Sequence, residues 1–195
     1  MVLFLQFGHG GEPVSDLTGK NLENDQRLPA EWPIHTVLHQ RRADALAVAH
    51  LHAPYATLFA IADREFRPVT LQGSVFDGGI PLYTEPRLVT TVTQGKNLAE
   101  TIADRPAAFL RGHGIVVVAR DVEQMLYASL ILEDEAKKRL EASAIGEVRC
   151  LSHDDCRAFD GLKEFPGRAQ RCWRYFRALE ERWDRQPGTG RVPFV

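Results

Sequence analysis

The chain has 195 residues, 44% of them hydrophobic and 26% charged, with a formal net charge of −2. This is the profile of a globular domain long enough to bury its core without staples. No Lys/Arg cluster is dense enough to neutralise a phosphate backbone, and the basic residues after Arg120 are interleaved with acids along helical stretches, so neither nucleic acid nor membrane is an expected partner. Cys150, Cys156 and Cys172 are odd in number and confined to the C-terminal quarter, which predicts free thiols in a reducing cytoplasm and no disulfide framework.

In chain order, Met1 to Phe7 is a short apolar run with no basic lead and no cleavage site, so it reads as a buried strand and not as a signal. A chain that opens directly on a core strand is expected to lack some N-terminal structure. Gly10 to Pro29 is crowded with turn formers and reads as an irregular connection that holds at most a short hairpin. Glu31 to Arg42 predicts a helix, with Pro33 in its first turn and Ile34, Val37 and Leu38 at helical spacing. Ala45 to Leu51 predicts a buried strand ending in His50-Leu51-His52, and Pro54 to Ala62 a helix.

From Arg67 to Pro86 the glycines and prolines predict two short strands joined by loops. Asn97 to Asp104 reads as a short helix, Ala107 to Arg111 and Ile115 to Ala119 as strands, and Asp121 as the cap of a long amphipathic helix reaching Ala144. Helices are predicted again over Asp154 to Leu162 and Gly167 to Trp183. Residues 1–185 are expected to form one domain, followed by a flexible tail over 186–195.

Side chains alternate across a strand, so His50 and His52 point to one face with Cβ atoms about 7 Å apart, a spacing that can chelate one metal ion. Two histidines at a strand end also serve as ordinary hydrogen-bonded groups. His113, between Gly112 and Gly114 at the junction of two strands, is a third potential ligand. The same pattern describes a tight turn that happens to contain histidine. Three ligands with one open position would mean catalysis and not a structural site.

Glu31, at the start of its helix, is electrostatically favourable there whatever its role, and beside a cation it becomes a candidate general acid/base. His35, one turn later, is placed to line the same pocket. With His39 it forms an alternative helical metal pair that lacks a third ligand nearby in sequence. His9 and His153 read as exposed loop histidines.

Three separated motifs then coincide with one family. Glu31-Trp32-Pro33-Ile34-His35, Ala47-Val48-Ala49-His50-Leu51-His52-Ala53-Pro54 and Leu110-Arg111-Gly112-His113-Gly114-Ile115-Val116-Val117-Val118, in this order and spacing, resemble the class II aldolase/adducin head-domain family. The likeness runs from about Leu3 to Leu140 and includes the long helix carrying Glu133. It implies a three-layer α/β/α sandwich around a central, mostly antiparallel sheet, commonly assembled as a homotetramer. It also implies His50, His52 and His113 as ligands of a divalent metal, Zn2+ first and Mn2+ or another ion as alternatives. Glu31 falls on the family's acid/base carboxylate. Adducin-like members lose these residues, so their retention implies an enzyme and argues against an assembly module.

The departures from the family narrow the substrate. Pro29 and Ala30 stand where sugar-phosphate aldolases of the family carry two serines, and Val69-Thr70-Leu71-Gln72 spans the position of an aldolase tyrosine contributed across the subunit interface. The chain opens at what resembles the family's first core hairpin, so the family's N-terminal helix and loop are expected to be missing. A proline-containing lead into the glutamate resembles the decarboxylase branch. The expected activity is therefore decarboxylation of a small hydroxyaromatic or β-keto acid, with cleavage of a small non-phosphorylated aldol as the alternative. Arg111 and Arg42 are candidate anchors for a substrate carboxylate, because guanidinium binds carboxylate through two parallel hydrogen bonds.

Overall fold

The computed structural model describes residues 2–3, 13–22, 27–62, 64–159 and 161–184. Most of the predicted opening strand, His9 and the 186–195 tail lie outside these residues. Within them, β1 (Val2–Leu3) pairs antiparallel with β2 (Val14–Ser15), and Ser15 bridges Asn21. Strand β1 lies in the predicted opening strand and β2 in the predicted irregular connection. The turn inside it is held by Asp16, whose carboxylate accepts the amides of Thr18 and Lys20.

Helix α1 (Trp32–Arg41) carries a proline in its first turn, as predicted. It ends in a tight return to the sheet, closed by His39 Nδ1, which donates to the Ala45 carbonyl at 2.5 Å. Strand β3 (Ala47–Leu51) and helix α2 (Pro54–Ala62) follow at the predicted positions. The next segment differs from expectation. In place of two strands, residues Leu71–Phe76 form a 3-10 helix and only β4 (Leu82–Tyr83) is extended.

The buried carboxylate of Glu135 accounts for part of that difference. It accepts the amides of Val69 and Thr70 at 2.7 and 3.2 Å and the Thr70 hydroxyl, which removes these groups from any ladder. Helix α3 (Val92–Ile102) starts five residues earlier than predicted, because Thr91 and Gln94 form a reciprocal capping box that overrides Val92, Thr93 and Gly95 as poor helix formers.

Strands β5 (Ala107–Leu110) and β6 (Gly114–Ala119) flank the glycine-bounded turn, and Asp121 caps α4 (Val122–Ile145) by accepting the Gln124 amide. The two predicted C-terminal helices are divided differently, into α5 (His153–Ala158), capped by Ser152, and a longer α6 (Gly161–Asp184). Pro166 lies inside α6, one and a half turns from its start, where it removes a single ladder bond. His153 is thus a helix residue and not a loop histidine. Among the described residues no helix is long and apolar enough to cross a membrane.

The main sheet has the order β3-β6-β5-β4, antiparallel except for the parallel β4/β5 pair. Alternation sorts its side chains into two cores. Ala108, Leu110, Val116 and Val118 pack with Ile34, Val37 and Leu38 of α1 and Leu98 and Ile102 of α3. Ala107, Phe109, Ile115 and Val117 pack with Ala56 and Ala60 of α2 and Ala128, Leu132 and Ala136 of α4. These are the three layers of an α/β/α sandwich around a mostly antiparallel sheet.

Phe109 is 2% exposed and meets the rings of Phe59 and Phe66 at 6.2 and 5.8 Å between centroids. Phe109→Ala is expected to destabilise the fold by about 3–5 kcal/mol, combining lost transfer energy with a cavity under α2. A urea-unfolding free energy that falls by less than a third of that amount would contradict this placement of the core.

Helix α5 docks on the 3-10 segment through Asp77, which pairs with His153 and accepts the Cys156 thiol. Burial, helped by the Asp77 carboxylate, pushes the Cys156 thiol up to about 11. At pH 8 its thiolate fraction is then about one part in a thousand, and the thiolate is the reactive form. Peptide mapping of native protein treated with iodoacetamide at pH 8 is expected to leave Cys156 unmodified, with alkylation appearing only on unfolding.

Candidate metal centre

The β3/β6 pairing builds the site. The register sets His50 opposite Val116 and Leu51 opposite Ile115, so the C-terminal end of β3 lies beside the turn that precedes β6 and carries His113. Two glycines make that approach possible. Gly112 has φ +65°, a left-handed conformation that costs little only without a side chain. A Cβ on Gly114 would sit 2.4 Å from the Leu51 carbonyl oxygen and 3.0 Å from the His52 ring, so no side chain fits between the two ligand-bearing segments.

The three imidazoles form a nearly equilateral group, with ring centroids 5.1 Å apart for His50–His52, 4.7 Å for His50–His113 and 4.9 Å for His52–His113. One ligand-capable atom from each lies within 4.8 Å of the other two. His50 and His113 are half-buried and His52 is exposed, so the group opens to solvent on the His52 side.

His50 Nδ1 donates to the Ile115 carbonyl at 3.0 Å, which fixes the tautomer and leaves Nε2 as a lone pair. That Nε2 is buried and has no hydrogen-bond partner. Burial holds the His50 imidazole below its usual pKa, against the raising effect of the Ile115 bond and of Glu31. His113 Nδ1 is likewise buried without a partner.

Glu31, at the N-cap of α1, completes the group from the other side. Its Oε1 accepts the Val89 amide at 2.9 Å, and its Oε2 lies 3.2 Å from His50 Nε2 and 3.5 Å from His113 Nε2. Lone pairs of a carboxylate and of a neutral imidazole repel unless a proton or a metal ion stands between them. The residues therefore fit a divalent cation, with nitrogen donors suited to zinc-like ions and a carboxylate oxygen within reach.

Other residues singled out in the sequence fall differently. His35 is half-buried between α1 and β3. Its ring hydrogen-bonds the Val48 backbone, and its charge interacts with His50. Desolvation pushes its imidazole down to about 4, so it is neutral across physiological pH. His39 Nδ1 donates to the Ala45 carbonyl, and among the described residues neither His39 nor His35 joins a group of three metal-capable side chains. Arg111 is exposed beside His113, and among the described residues no carboxylate pairs with it.

Arg42 is not brought to the group. It lies at the far end of α1, about 16 Å from Glu31 at 1.5 Å rise per residue. There it is held by Asp44 at 2.7 Å and by the Arg105 carbonyl at 2.6 Å. Sequence reasoning missed Val89, which positions Glu31 from 58 residues away, and the use made of Glu133, whose carboxylate accepts the amides of Tyr55 and Ala56 at the start of α2. No local pattern announces either contact.

Comparison with known proteins places this geometry. Residues 10–140 match the Class II Aldolase and Adducin N-terminal domain. The chain is 33% identical over 130 residues to a 3,4-dihydroxyphthalate decarboxylase of Rhodococcus jostii (strain RHA1), covering 64% of this chain and 54% of that protein. It is 28% identical over 124 residues to an adducin-related protein of Schizosaccharomyces pombe, covering 63% of this chain and 38% of that protein. Among solved structures, an L-fuculose 1-phosphate aldolase superposes with TM-score 0.66 at 26% identity, covering 76% of this chain and 69% of that one. The chain spans about half the length of the decarboxylase it matches. With its α/β/α layers and its motifs in register, the chain belongs to the class II aldolase and adducin N-terminal domain family.

Proposed function

We propose that this chain is a divalent-metal-dependent carbon–carbon lyase that decarboxylates a small hydroxyaromatic or β-keto acid. The observation that carries the reading is the buried, unpartnered Nε2 of His50. With Nδ1 committed to Ile115, it faces Glu31 Oε2 at 3.2 Å beside two further imidazoles. His50, His52 and His113 would hold the ion, Zn2+ first and Mn2+ or another divalent ion as alternatives. When bound, such an ion supplies a Lewis acid for the electron density released as a carbon–carbon bond breaks.

The remaining chemistry belongs to the chain's own groups. Val89 holds Glu31 Oε1, which leaves Oε2 facing the imidazoles, where a substrate carbon would have to lie to receive its proton. As the bond to the substrate carboxylate breaks, carbon dioxide leaves and the electron pair stays on carbon. Glu31 takes a proton from solvent, delivers it to that carbon and returns to the carboxylate. Arg111, unpaired beside His113, is the candidate anchor for a second substrate carboxylate, and His35, neutral behind His50, is the candidate wall of the pocket. The exposed His52 side is the entry path.

Retro-aldol cleavage is the second reading, favoured by the likeness to an L-fuculose 1-phosphate aldolase, and it uses the same four residues. We also place the protein in the cytoplasm as a homotetramer of single-domain chains. Elemental analysis of the purified protein, followed by assays of carbon dioxide and of aldehyde on hydroxyaromatic and β-keto acids and on small aldols, tests the proposal. About one divalent ion per chain with carbon dioxide release is expected. Aldehyde alone favours the second reading, and absence of any metal points to an adducin-like assembly module.

A further inference from the structure

His52 is the least constrained of the three histidines. The β3–β6 ladder ends at the Leu51–Ile115 pair, so His52 stands one residue beyond it. His50 is anchored through its ring to the Ile115 carbonyl, and His113 through its amide to the Leu110 carbonyl. No hydrogen bond reaches the His52 ring among the described residues, and the residue is exposed. Its position therefore depends on the chain that follows it.

That chain is the start of α2, only two residues on. The first amides of a helix lack intrahelical partners, and Ala53, just before Pro54, has no side-chain acceptor to offer them. The acceptor comes from another helix. Glu133 of α4 takes the Tyr55 amide at 2.9 and 3.1 Å on its two oxygens and the Ala56 amide at 2.8 Å on Oε2. A carboxylate at this point also meets the positive end of the α2 dipole.

We propose that Glu133 is a positioning residue for His52: by fastening the start of α2 to α4, it holds the exposed ligand where the other two histidines can share an ion with it. This rests on the metal-site reading above. In Glu133→Gln one of the two accepting oxygens becomes an NH2 that cannot accept, and the charge facing the start of α2 is lost, so the hold on the Tyr55 and Ala56 amides loosens, the His52-Ala53-Pro54 segment gains freedom, and ordering His52 becomes part of the work of binding the ion. The expected loss is that of an outer-shell partner, about 10- to 100-fold in metal affinity.

The test uses the full chain, stripped with chelator and titrated with Co2+ by visible absorption and with Zn2+ against a chromophoric chelator. Wild type, Glu133→Gln, His52→Ala and the double variant are compared. Glu133→Gln is expected to weaken Zn2+ binding about 10- to 100-fold in the wild-type background. In the His52→Ala background it is expected to change affinity by less than about twofold, because its effect passes through a ligand already removed. If Glu133→Gln does not fold, Glu133→Asp keeps the charge, withdraws it by one methylene, and is expected to give the same pattern.

Unchanged affinity in Glu133→Gln overturns the proposal while leaving the metal site standing. The same fold loss with and without His52 also overturns it, since Glu133 would then act through general stability. A wild-type protein that binds neither ion overturns both this proposal and the metal-site reading.

Discussion

Replacing His50 by alanine is expected to give a folded protein that retains no stoichiometric divalent ion and shows no measurable turnover. Of the three clustered histidines, His50 is the one whose ring is held by a backbone carbonyl, Nδ1 to Ile115, so its Nε2 is presented to the site with little freedom left to lose. A direct ligand should matter more than an outer-shell partner, and the loss in metal affinity should exceed about 100-fold. The Ile115 carbonyl loses its side-chain donor, at about 1–3 kcal/mol. The fold survives this because both cores, on either face of the sheet, are untouched. Elemental analysis after dialysis and a urea transition check the two parts separately. Full metal content in His50→Ala would sink the triad.

Glu31→Gln is expected to do the opposite: to keep the metal and lose the reaction. The amide oxygen can still accept the Val89 amide, so the side chain stays in place. What disappears is an oxygen able to carry a proton 3.2 Å from His50 Nε2. Positioned proton transfer contributes about 10²–10⁴-fold to rate, and kcat should fall by that factor with metal content unchanged. Removing a negative charge that faces imidazole lone pairs also relieves repulsion in the metal-free protein, whose thermal transition should not fall. A variant that loses metal together with turnover would make Glu31 a ligand and not a proton donor.

What could be read from the residues was whatever depends on neighbours in the chain. Short bounded apolar runs located β3, β5 and β6, Asp121 marked the start of α4, and the His50/His52 spacing placed two rings on one face. Long-range partners could not be read this way. Val89 reaches Glu31 from a loop 58 residues away, and Glu133 caps a helix other than its own, so neither leaves a periodic trace. Glu135 pulled Val69 and Thr70 out of what looked like strand, by supplying an acceptor from α4.

The late start assigned to α3 had a different cause. Val92, Thr93 and Gly95 are poor helix formers, and the Thr91/Gln94 capping box starts the helix before them. Gly95 is tolerated because α3 packs there against α1, where an added Cβ would lie 2.8 Å from the Pro33 carbonyl oxygen. Arg42 is a candidate carboxylate anchor by residue type alone, and in the structure it lies at the far end of α1 from Glu31, paired with Asp44.

The pairing of β3 with β6 also has a kinetic side. His50 and Ile115 are 65 residues apart, so the complete ligand set exists only after a long loop has closed. An unfolded chain can offer an ion little more than the His50/His52 pair. An ion that binds the native state far better than the unfolded one adds stability by mass action, and because its full site forms late, that stability should appear as slower unfolding with little change in the folding rate. Metal removal would then shorten the lifetime of the folded protein without delaying its formation.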